Sequence, residues 1–575
     1  MANFFSDNED ILFNFNTAEW PPVVRAVEGD FSDAQRFPYA PESVEDAVDN
    51  YRRVLAMVGQ LAGENIAPRS EAIDREGNRM EGADVRRPAG MCECLDLLAK
   101  ADLMGFTLPR RYGGINFPNL AYCMAIEMVS RADASLMNIF GLQGIAETIN
   151  AFADDQIKSK YLPLFSAGKI TGAMALTEPD AGSDLQNVQL KAFQDEEGAW
   201  RLNGVKRFIT NGCGEVLLVL ARSEPEEGGL GLSLYLCEKQ PEVWVRRIEE
   251  KLGIHGSPTC ELQFNDAKAF LIGERRRGLV TYVMALMNGA RIGIAAQALG
   301  IAEAAYNEAR SYAYTRQQFG KRIQAIPAVA DLLAEMKIDL EGARALTYET
   351  SHVVDRHFGA MRIIEGGIAD KEAVQAARQD EKHLKRLAAL LTPMAKYYSS
   401  EMANRVASAA IQVLGGSGYM RDYPVERHFR DARITNIYEG TSQLQIVAAV
   451  RGVTSGVAEK NFEEKHQALK GSFPGILRQL AQARGQLTKA VEFAKKKGLE
   501  YTDLYARDLV DMAGDIEIGY LFARQALNSK RKAILARRWA RRALARARMK
   551  CMVVTSGDRT SIRNFELIAG PLRPE

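Results

Sequence analysis

The spacing of hydrophobic positions along the chain changes twice and predicts a β region between two helical regions. From position 44 to about 166, apolar residues recur every three to four positions, which is typical of helices that bury one face. Between about 170 and 272 the period shortens, and Val216–Leu220 is predicted as a buried strand. Helical spacing returns from 283 to about 450, with a long segment at Ile292–Arg316. We therefore expect a mainly helical protein with a central β domain.

The β region contains one strong turn signal, the dipeptide Asn203-Gly204. It lies within the alternating run from Trp200 to Ile209, and Asn-Gly is the preferred pair for the tight turn of a β-hairpin. We therefore predict a hairpin over this run. Further strands are expected at Leu234, Val243–Val245 and Leu262–Phe264.

Both ends of the chain differ from this central body. The first 48 residues are acidic, aromatic and punctuated by prolines, so we expect an irregular arm that packs against the body. A charged stretch at 359–386 predicts an additional helical segment, interpreted as a solvated surface elaboration. The predicted domains are an N-terminal arm (1–48), an N-terminal helical domain (49–169), a middle β domain (170–282), a C-terminal helical bundle (283–452) and a C-terminal helical extension (453–575).

The composition is that of an ordinary globular protein. Of 575 residues, 47% are apolar and 26% are charged, and the formal net charge of +1 gives no reason to expect a nucleic-acid partner. Seven cysteines are too few and too scattered for a disulfide framework, and the six histidines form no ligand pattern, so no metal site is predicted. The N-terminus lacks the basic segment of a secretory signal, and the sequence has no uninterrupted apolar run of about 20 residues. These features favour a reducing, cytoplasmic setting.

The most informative residue for function is Glu439. It lies just downstream of Phe429-Arg430-Asp431, in the segment Asn436-Ile437-Tyr438-Glu439-Gly440-Thr441-Ser442-Gln443. A carboxylate among apolar neighbours is costly to bury, so it is either exposed or retained for its chemistry, and Gly440 lets a ligand approach the backbone. The segment resembles the catalytic segment of the acyl-CoA dehydrogenase family, whose glutamate removes a proton from the carbon α to a thioester. The resemblance implies that Glu439 is the catalytic base. It also implies cofactor contacts by Thr441 and Gln443 and a substrate contact by Gly440.

A second match to this family is the segment 174–184, MALTEPDAGSD. Pro179 fixes the backbone and Gly182 relaxes it, which predicts a strand that ends in a turn with outward-pointing donors. In the family this loop lies against the flavin ring, and its serine meets the CoA moiety of the substrate. An ordinary polar turn is the alternative for this segment alone. The resemblance implies FAD contacts by Met174, Leu176, Thr177 and Ser183, the last of which also binds substrate. Family members usually carry an aromatic residue at the position of Met174.

The third match is Phe208-Ile209-Thr210, which the hairpin prediction places on the second strand. An aromatic side chain can stack on an isoalloxazine face, and the following hydroxyl can bond its polar edge. The resemblance implies that Phe208, Ile209 and Thr210 contact FAD, although family members often carry tryptophan at the first position. Phe208 as an ordinary core residue is the alternative.

The fourth match lies at the end of a long predicted helix, where Arg316 and Phe319 occur in the segment 314–321, YTRQQFGK. Arginine offers a planar fork of donors that suits a pyrophosphate. In the family this arginine holds the FAD of a neighbouring subunit, and the phenylalanine lies near the adenine. The segment 412–419, which contains Gln412 and Gly416, resembles a partner segment that approaches the same cofactor. A shared cofactor implies a homodimer or homotetramer.

Some family members place the catalytic acid on the helix that contains Ala290 and Arg291. The position before the arginine is Ala290 here, and alanine cannot serve as a base, which leaves Glu439. Arg291 is a cation near a helix start, where the helix dipole disfavours it unless it pairs with an anion. The resemblance implies that Arg291 helps to order the CoA-binding region, and an internal salt bridge is an equal alternative.

Together the four matches imply the fold and chemistry of the family over about residues 50–450. The implied fold has an N-terminal helical domain, a middle β-barrel-like domain and a C-terminal helical bundle, to which this chain adds a helical extension. The implied reaction is FAD-dependent α,β-dehydrogenation of an acyl-CoA, with electrons passed to an electron-transferring flavoprotein. Two alternatives stay open: a flavin monooxygenase or oxidase on the same fold, and a non-catalytic protein that binds CoA or flavin.

The C-terminal extension contains a strongly basic segment. Between 524 and 550 the sequence has eleven Lys or Arg residues and no acidic one, interleaved with Ile534, Leu535, Trp539 and Leu544. Three interpretations compete. The segment is a solvated helix packed on the core by its apolar stripe, an interfacial helix on anionic lipid, or a binding surface for an acidic protein or for CoA phosphates. Nucleic acid is not expected, because no recognised binding fold accompanies the charge.

Overall fold

The computed structural model describes residues 2–142, 144–366 and 371–572. The chain forms two compact units: the first comprises 1–384 and 399–441, and the second comprises 385–398 and 442–575. Glu439 and the two segments that the resemblance places against the flavin, 174–184 and 208–210, belong to the first unit. All seven cysteines are free thiols.

The first unit begins with helices α1 (Glu9–Thr17) and α2 (Trp20–Glu28), so this part of the chain is not the irregular arm that the sequence predicted. The side chain of Asn8 caps α1 by accepting the N–H groups of Asp10 and Ile11. The prolines of α2 lie in its first turn, where a helix needs no N–H donor. The arm is fastened by buried ion pairs, Glu28 with Arg110 at 2.6 Å and Asp10 with Arg344 at 2.6 Å.

The N-terminal helical domain follows. Its helices are α3 (Val44–Gln60), α4 (Ser70–Glu76), α5 (Ala89–Lys100), α6 (Asn119–Ala132), α7 (Ala134–Gly141), α8 (Gly144–Phe152) and α9 (Asp155–Ser166). A short antiparallel hairpin that the sequence did not predict, β1 (Arg79–Glu81) with β2 (Asp84–Arg86), separates α4 from α5. Helix α6 is buried on nearly every side, which explains why its apolar periodicity is weak in the sequence.

The middle domain is a seven-stranded sheet that closes on itself. Its strands are β3 (Gly172–Ala175), β4 (Lys191–Gln194), β5 (Trp200–Thr210), β6 (Val216–Arg222), β7 (Leu232–Glu238), β8 (Val243–Ile248) and β9 (Thr259–Ile272). The strands follow the order β3-β6-β4-β5-β9-β7, β8 pairs with β9, and pairing of β7 back to β6 closes the ring. This confirms the β-barrel-like middle domain and the predicted strand at Val216–Leu220.

The predicted hairpin at Asn203-Gly204 is wrong. The dipeptide lies inside the single strand β5, whose two halves both pair with β9. Gly204 has a φ of 144° and marks a register shift between Leu202 and Gly204, so the residues that suggested a turn form an irregularity in a long strand instead. Phe208 accordingly lies on the same strand as Trp200.

Helices return after the sheet. They are α10 (Met284–Thr315), α11 (Pro327–Glu365), α12 (Lys371–Leu414) and α13 (Val425–Ile434), with a two-residue hairpin, β10 (Gln317–Gln318) with β11 (Lys321–Arg322), after α10. The stretch Gly278–Thr315, which includes α10, is long and apolar enough to cross a membrane by length and composition. In this fold α10 packs against α6, α11 and α13, as a central helix of the bundle does. The predicted segment 359–386 falls on the end of α11 and the start of α12, and its positions 367–370 lie outside the described residues.

The second unit is helical. After part of α12 it contains α14 (Ser442–Thr454), α15 (Val457–Ala468), α16 (Pro474–Lys497), α17 (Leu499–Leu504), α18 (Ala506–Gln525), α19 (Lys530–Val554), α20 (Thr560–Arg563) and α21 (Phe565–Ala569). The basic segment forms α19, whose apolar stripe, including Trp539, packs against α16 and α18. Arg546 pairs with Asp515 of α18 at 2.7 Å. The interpretation of the basic segment as a helix packed by its apolar stripe therefore holds for the buried face of α19. The exposed face of α19 carries further basic residues.

Candidate active site

The two segments expected to face the flavin meet at the ends of β3 and β5. The backbone N–H of Arg207 donates to the Thr177 carbonyl at 2.9 Å, and Lys206 Nζ donates to the Leu176 carbonyl at 2.9 Å. Met174 and Thr177 are half-buried, whereas Leu176 is buried. The segments are about 30 positions apart in the sequence, and the fold makes them neighbours.

A buried ion pair fixes the loop after β3. Lys206 Nζ lies 2.9 Å from Glu178 Oε1, and both side chains are buried. The Glu178 carboxylate also accepts the backbone N–H groups of Gln189 at 2.7 Å and Leu190 at 2.9 Å. Burial lowers the pKa of Lys206 to about 8, and the adjacent Glu178 carboxylate opposes that shift. The family resemblance described above implied no role for Lys206 or Glu178.

Phe208 stands out from the sheet in a strained conformation. Its φ of 62° is in the left-handed region, which bulky residues rarely adopt, and 52% of the side chain is exposed. The neighbouring Ile209 is buried and Thr210 is half-buried. The turn beyond is fixed by Asn211, whose Nδ2 donates to the Gly172 carbonyl at 2.9 Å. Phe208 is therefore not the core residue of the alternative interpretation. The Arg207 guanidinium lies 4.6 Å from the centroid of its ring, and the rest of the exposed ring surface is available to a planar ligand.

Glu439 lies in a second strained turn, between α13 and α14. Its φ is 54° and that of Gly440 is 90°, so two successive residues adopt left-handed conformations. The preceding residue, Tyr438, anchors the turn, because its hydroxyl donates to Asn138 Oδ1 at 3.1 Å and to Gln297 Oε1. Gln297 Nε2 in turn donates to Asn138 Oδ1 at 2.9 Å. A buried polar network thus ties the turn to α7 and α10.

Arg291 of α10 lies within electrostatic range of Glu439. Burial lowers the pKa of Arg291, and the negative charge of Glu439 opposes this shift. The guanidinium donates to Asn288 Oδ1 at 3.0 Å, while Arg291 Nε is buried without a hydrogen-bond partner among the described residues. Both interpretations of Arg291 from the sequence therefore stay open. Its charge interacts with Glu439, as an internal ion pair would require, and its Nε could still donate to a ligand, as a role in the CoA-binding region would require.

A narrow cavity of about 30 Å³ opens on the same turn of α10. Ala290 and Ile292, on either side of Arg291, line it together with Gly289 and Met174. Ala290 therefore faces this cavity. It occupies the position at which the resemblance places the catalytic acid of some family members. The cavity thus lies between Met174 of β3 and the turn of α10 that contains Arg291. Glu147 of α8 also lines it, and the sequence gave no sign of this residue beyond one acidic side chain in a helical pattern.

A second cluster surrounds the end of α10. Arg316 lines a cleft of about 550 Å³ whose described walls include none of the flavin-facing residues. Phe319 and Gly320 form the turn of the β10–β11 hairpin with φ values of 53° and 71°, which is the geometry of a type I′ turn, and Phe319 is 88% exposed at its tip. Tyr312 Oη lies 3.4 Å from Ser417 Oγ, which joins the helix end to the segment that contains Gly416.

The remaining predicted residues are placed as follows. Ser183 is exposed in the loop after β3, Gln412 is exposed at the end of α12, and Thr441 is half-buried immediately before α14. Gln443 is exposed in the first turn of α14, which belongs to the second unit. No group of three or more His, Cys, Asp or Glu able to hold a metal occurs among the residues that the structure describes.

Comparison with known proteins identifies the family. The chain matches models of the acyl-CoA dehydrogenase N-terminal domain at residues 49–169, middle domain at 173–267 and C-terminal domain at 292–443. It is 37% identical over 396 residues to an acyl-CoA dehydrogenase of Bacillus subtilis, covering 68% of this chain and 94% of that protein. The chain belongs to the acyl-CoA dehydrogenase family. It is also 33% identical over 432 residues to 3-methylmercaptopropionyl-CoA dehydrogenase of Ruegeria pomeroyi, covering 70% of each chain.

The fold agrees with this assignment. The structure of butyryl-CoA dehydrogenase from Megasphaera elsdenii is 31% identical in sequence and superposes with a TM-score of 0.60, covering 69% of this chain and 96% of that one. As a member of the family, the protein is an FAD-dependent oxidoreductase that acts on acyl-CoA. The residues present fit FAD, because the ring of Phe208, which is 52% exposed, offers a stacking face.

Proposed function

We propose that Glu439 is the base that removes the α proton of an acyl-CoA, so that the protein introduces an α,β double bond. The observation that carries this proposal is the strained turn at Glu439, tied through Tyr438 to the helix that lines the cavity. A left-handed conformation in a non-glycine residue costs about 1–3 kcal/mol and persists where the surroundings impose it, most often at functional sites. The buried contacts of Tyr438 supply those surroundings.

The charge of Arg291 suits Glu439 to this role. A nearby cation favours the ionised form of a carboxyl group, and the ionised form is the one that accepts a proton. Arg291 and Glu439 attract each other, because the charge of Glu439 raises the pKa of Arg291 against the effect of burial. Gly440 keeps the backbone beside the base open to the thioester. The α proton then passes to a Glu439 carboxylate oxygen. This transfer is general-base catalysis, which typically contributes about 10²–10⁴-fold to a rate.

FAD, when bound, accepts the hydride that leaves the β carbon. The chain would hold its ring with Phe208, Ile209 and Thr210 on one segment and Met174, Leu176 and Thr177 on the other, with Ser183 toward the CoA. Thr441 and Gln443 follow the base in the sequence and are proposed as further contacts. Arg316, Phe319, Gln412 and Gly416 are proposed to reach the FAD of a second copy of the chain. The exposed hairpin tip at Phe319 supports this assignment, and it implies a homodimer or homotetramer.

We propose an electron-transferring flavoprotein as the electron acceptor and a cytoplasmic setting for the reaction. The chain is similar to a solved structure described as the electron transferring flavoprotein of Acidaminococcus fermentans in flavin-based electron bifurcation, with 31% identity and a TM-score of 0.60, covering 70% of this chain and 97% of that one. The reduced enzyme, mixed with such a flavoprotein, should recover its oxidised spectrum.

The test of the function is anaerobic mixing of the FAD-loaded protein with a panel of saturated acyl-CoAs. The visible flavin band of wild type should bleach with at least one thioester, and that of Glu439→Gln should bleach at least about 100-fold more slowly while the variant retains FAD. Glu250→Gln is the matched control, because Glu250 is an exposed carboxylate on the middle domain. A yellow wild type that no thioester bleaches would favour a flavin oxidase or monooxygenase, and a protein that takes up no FAD would favour a non-catalytic role.

The exposed face of α19 supports a second proposal, peripheral contact with an anionic membrane. Lys530, Arg537, Arg541 and Arg548 recur on the exposed side, and Ile534 on that side is 63% exposed. Arg537→Glu with Arg541→Glu should abolish sedimentation with anionic vesicles and leave the bleaching rate unchanged. Equal sedimentation with neutral vesicles, or no sedimentation of wild type, would contradict this proposal.

A further inference from the structure

The cavity beside α10 contains one acidic side chain, Glu147. Most of its wall is apolar or small, including Leu286, Met174 and Gly289. Two other polar side chains line it, but their donors are already used: Tyr122 Oη donates to the Phe140 carbonyl at 2.8 Å, and Asn119 Nδ2 donates to Asp355 Oδ1 at 2.9 Å. Glu147 is the one carboxyl among the described residues that line the cavity, and a carboxyl accepts a hydrogen bond from a ligand more strongly than the Tyr122 hydroxyl or the Asn119 amide oxygen does.

Among the described residues around the cavity, none offers the Glu147 carboxyl a compensating positive charge. No Lys, Arg or His is among the described residues that line the cavity, and the effects on the pKa of Glu147 are burial, which raises it, and the nearby Thr107 hydroxyl, which lowers it. Thr107 Oγ1 is itself buried and makes no well-formed hydrogen bond within the described chain. Glu147 is half-buried, and Thr107 is the one polar group among the described residues that the structure places against its carboxyl, so a donor from a ligand in the cavity would stabilise it further.

The size of the cavity limits what can bind there. A volume of about 30 Å³ holds roughly one water-sized group. The small residues of the wall create this space, because a Cβ at Gly289 would meet nothing within 4 Å and one at Gly144 would first meet Leu286 Cδ1 at 3.6 Å. A hydroxyl group matches both the available volume and the need of the carboxyl for a donor. A terminal carboxylate matches neither, since it is larger and carries the same charge.

Resting on the proposed function, we propose that Glu147 is a specificity-determining residue that selects acyl-CoAs whose acyl group ends in a hydroxyl and rejects those that end in a carboxylate. The thioester end of the acyl group lies toward Glu439 and the flavin, and its far end enters the cavity between α6, α8 and α10. Glu147 accepts the hydrogen bond of the terminal hydroxyl. Met174, unbranched and flexible, lies between the flavin-facing strand and this cavity.

The experiment compares thioesters of equal length. Hexanoyl-CoA is paired with 5-hydroxypentanoyl-CoA, and pentanoyl-CoA with 4-hydroxybutyryl-CoA, so that a hydroxyl replaces a methyl group in each pair. Rates of anaerobic flavin bleaching are measured for wild type, Glu147→Gln and Glu147→Met. Wild type should favour the hydroxylated member of at least one pair by about 10- to 100-fold, the range expected for a hydrogen bond to a charged or polar buried acceptor. Glutaryl-CoA should be the poorest substrate.

The variants decide whether Glu147 is responsible. Glu147→Gln keeps an acceptor and should retain a smaller preference for the hydroxyl, whereas Glu147→Met should reverse it in favour of the methyl group. Their visible spectra and melting temperatures show whether each variant is folded and loaded. If alkyl thioesters bleach the wild type as fast as hydroxylated ones, or if Glu147→Met keeps the preference, this inference is wrong while the dehydrogenase function stands. If no thioester bleaches the wild type, the proposed function itself fails.

Discussion

Replacing Lys206 with methionine tests whether a buried ion pair holds the flavin-facing loop. Lys206 Nζ lies 2.9 Å from both Glu178 Oε1 and the Leu176 carbonyl, and the two charged side chains are 0% and 9% exposed. Methionine nearly preserves the volume, so the main change is loss of the charge. Removing one partner of a buried pair typically costs about 3–5 kcal/mol, because the other charge stays buried alone. The N–H groups of Gln189 and Leu190 still bond the Glu178 carboxylate, so we expect the lower value, about 3 kcal/mol.

The assay is urea unfolding of the FAD-loaded protein, followed by far-UV circular dichroism and by flavin absorbance. Lys206→Met should lower the free energy of unfolding by about 3 kcal/mol and weaken FAD retention, since the Leu176 carbonyl loses its donor. The double variant Lys206→Met, Glu178→Gln should recover more than about 1 kcal/mol of the loss, because no unpaired charge remains. A single variant as stable as wild type, or a double variant no better than the single one, would refute the reasoning.

Three further predictions concern groups around the site. Asp355 accepts the N–H groups of Asn119 and Leu120 at 2.8 and 2.9 Å, and burial raises its pKa to about 6. Because its pKa is higher in the folded protein than in the unfolded chain, the Asp355 carboxyl stabilises the fold most below its unfolded pKa of about 4. This stabilisation is lost as the pH rises through about 6. The free energy of unfolding of wild type should therefore fall relative to that of Asp355→Asn between about pH 4.5 and 6.5, and the difference between the two proteins should stay constant above that range. A difference that is constant at every pH would contradict this prediction. Arg291→Met removes the cation near Glu439. The rate of flavin bleaching, measured against pH, should therefore begin to fall at a higher pH on the acidic side than it does in wild type. An unchanged pH dependence would show that the two charges do not interact. Tyr438→Phe removes the donor to Gln297 Oε1 and one of the two donors to Asn138 Oδ1, which Gln297 Nε2 still bonds. It should lower the free energy of unfolding in urea by about 1–3 kcal/mol and slow bleaching, whereas unchanged values would show that the network does not support the base.

Local sequence was sufficient for the parts of the site that are made by single segments. The turn at Glu439 needs Gly440 beside it, and the loop after β3 needs Pro179 and Gly182, so the residue types themselves indicate the backbone. The helical, β and helical regions were likewise visible as changes in period. These features depend on neighbours in the chain, which is why local sequence indicates them.

Features that depend on partners distant in the sequence could not be predicted. Asn203-Gly204 is a strong hairpin signal locally, yet both flanks pair with β9, and the tertiary pairing overrides the turn preference. Lys206 and Glu178 are separated by 28 positions, and only the fold buries them as a pair. The available signal for Lys206 was a charged residue within a predicted strand. Glu147 is one acidic residue in a helical pattern, and nothing in the sequence shows that α6 and α10 enclose it.

The most direct test of the central claim separates proton removal from oxidation. The enzyme is first reduced, so that it cannot dehydrogenate, and is then incubated anaerobically in water with butyryl-CoA deuterated at the α carbon. Wild type should exchange the α deuterium for solvent hydrogen, as followed by mass spectrometry, and Glu439→Gln should exchange it at least about 100-fold more slowly with its FAD retained. Exchange at the wild-type rate in Glu439→Gln would contradict the account, because some other group would then be the base.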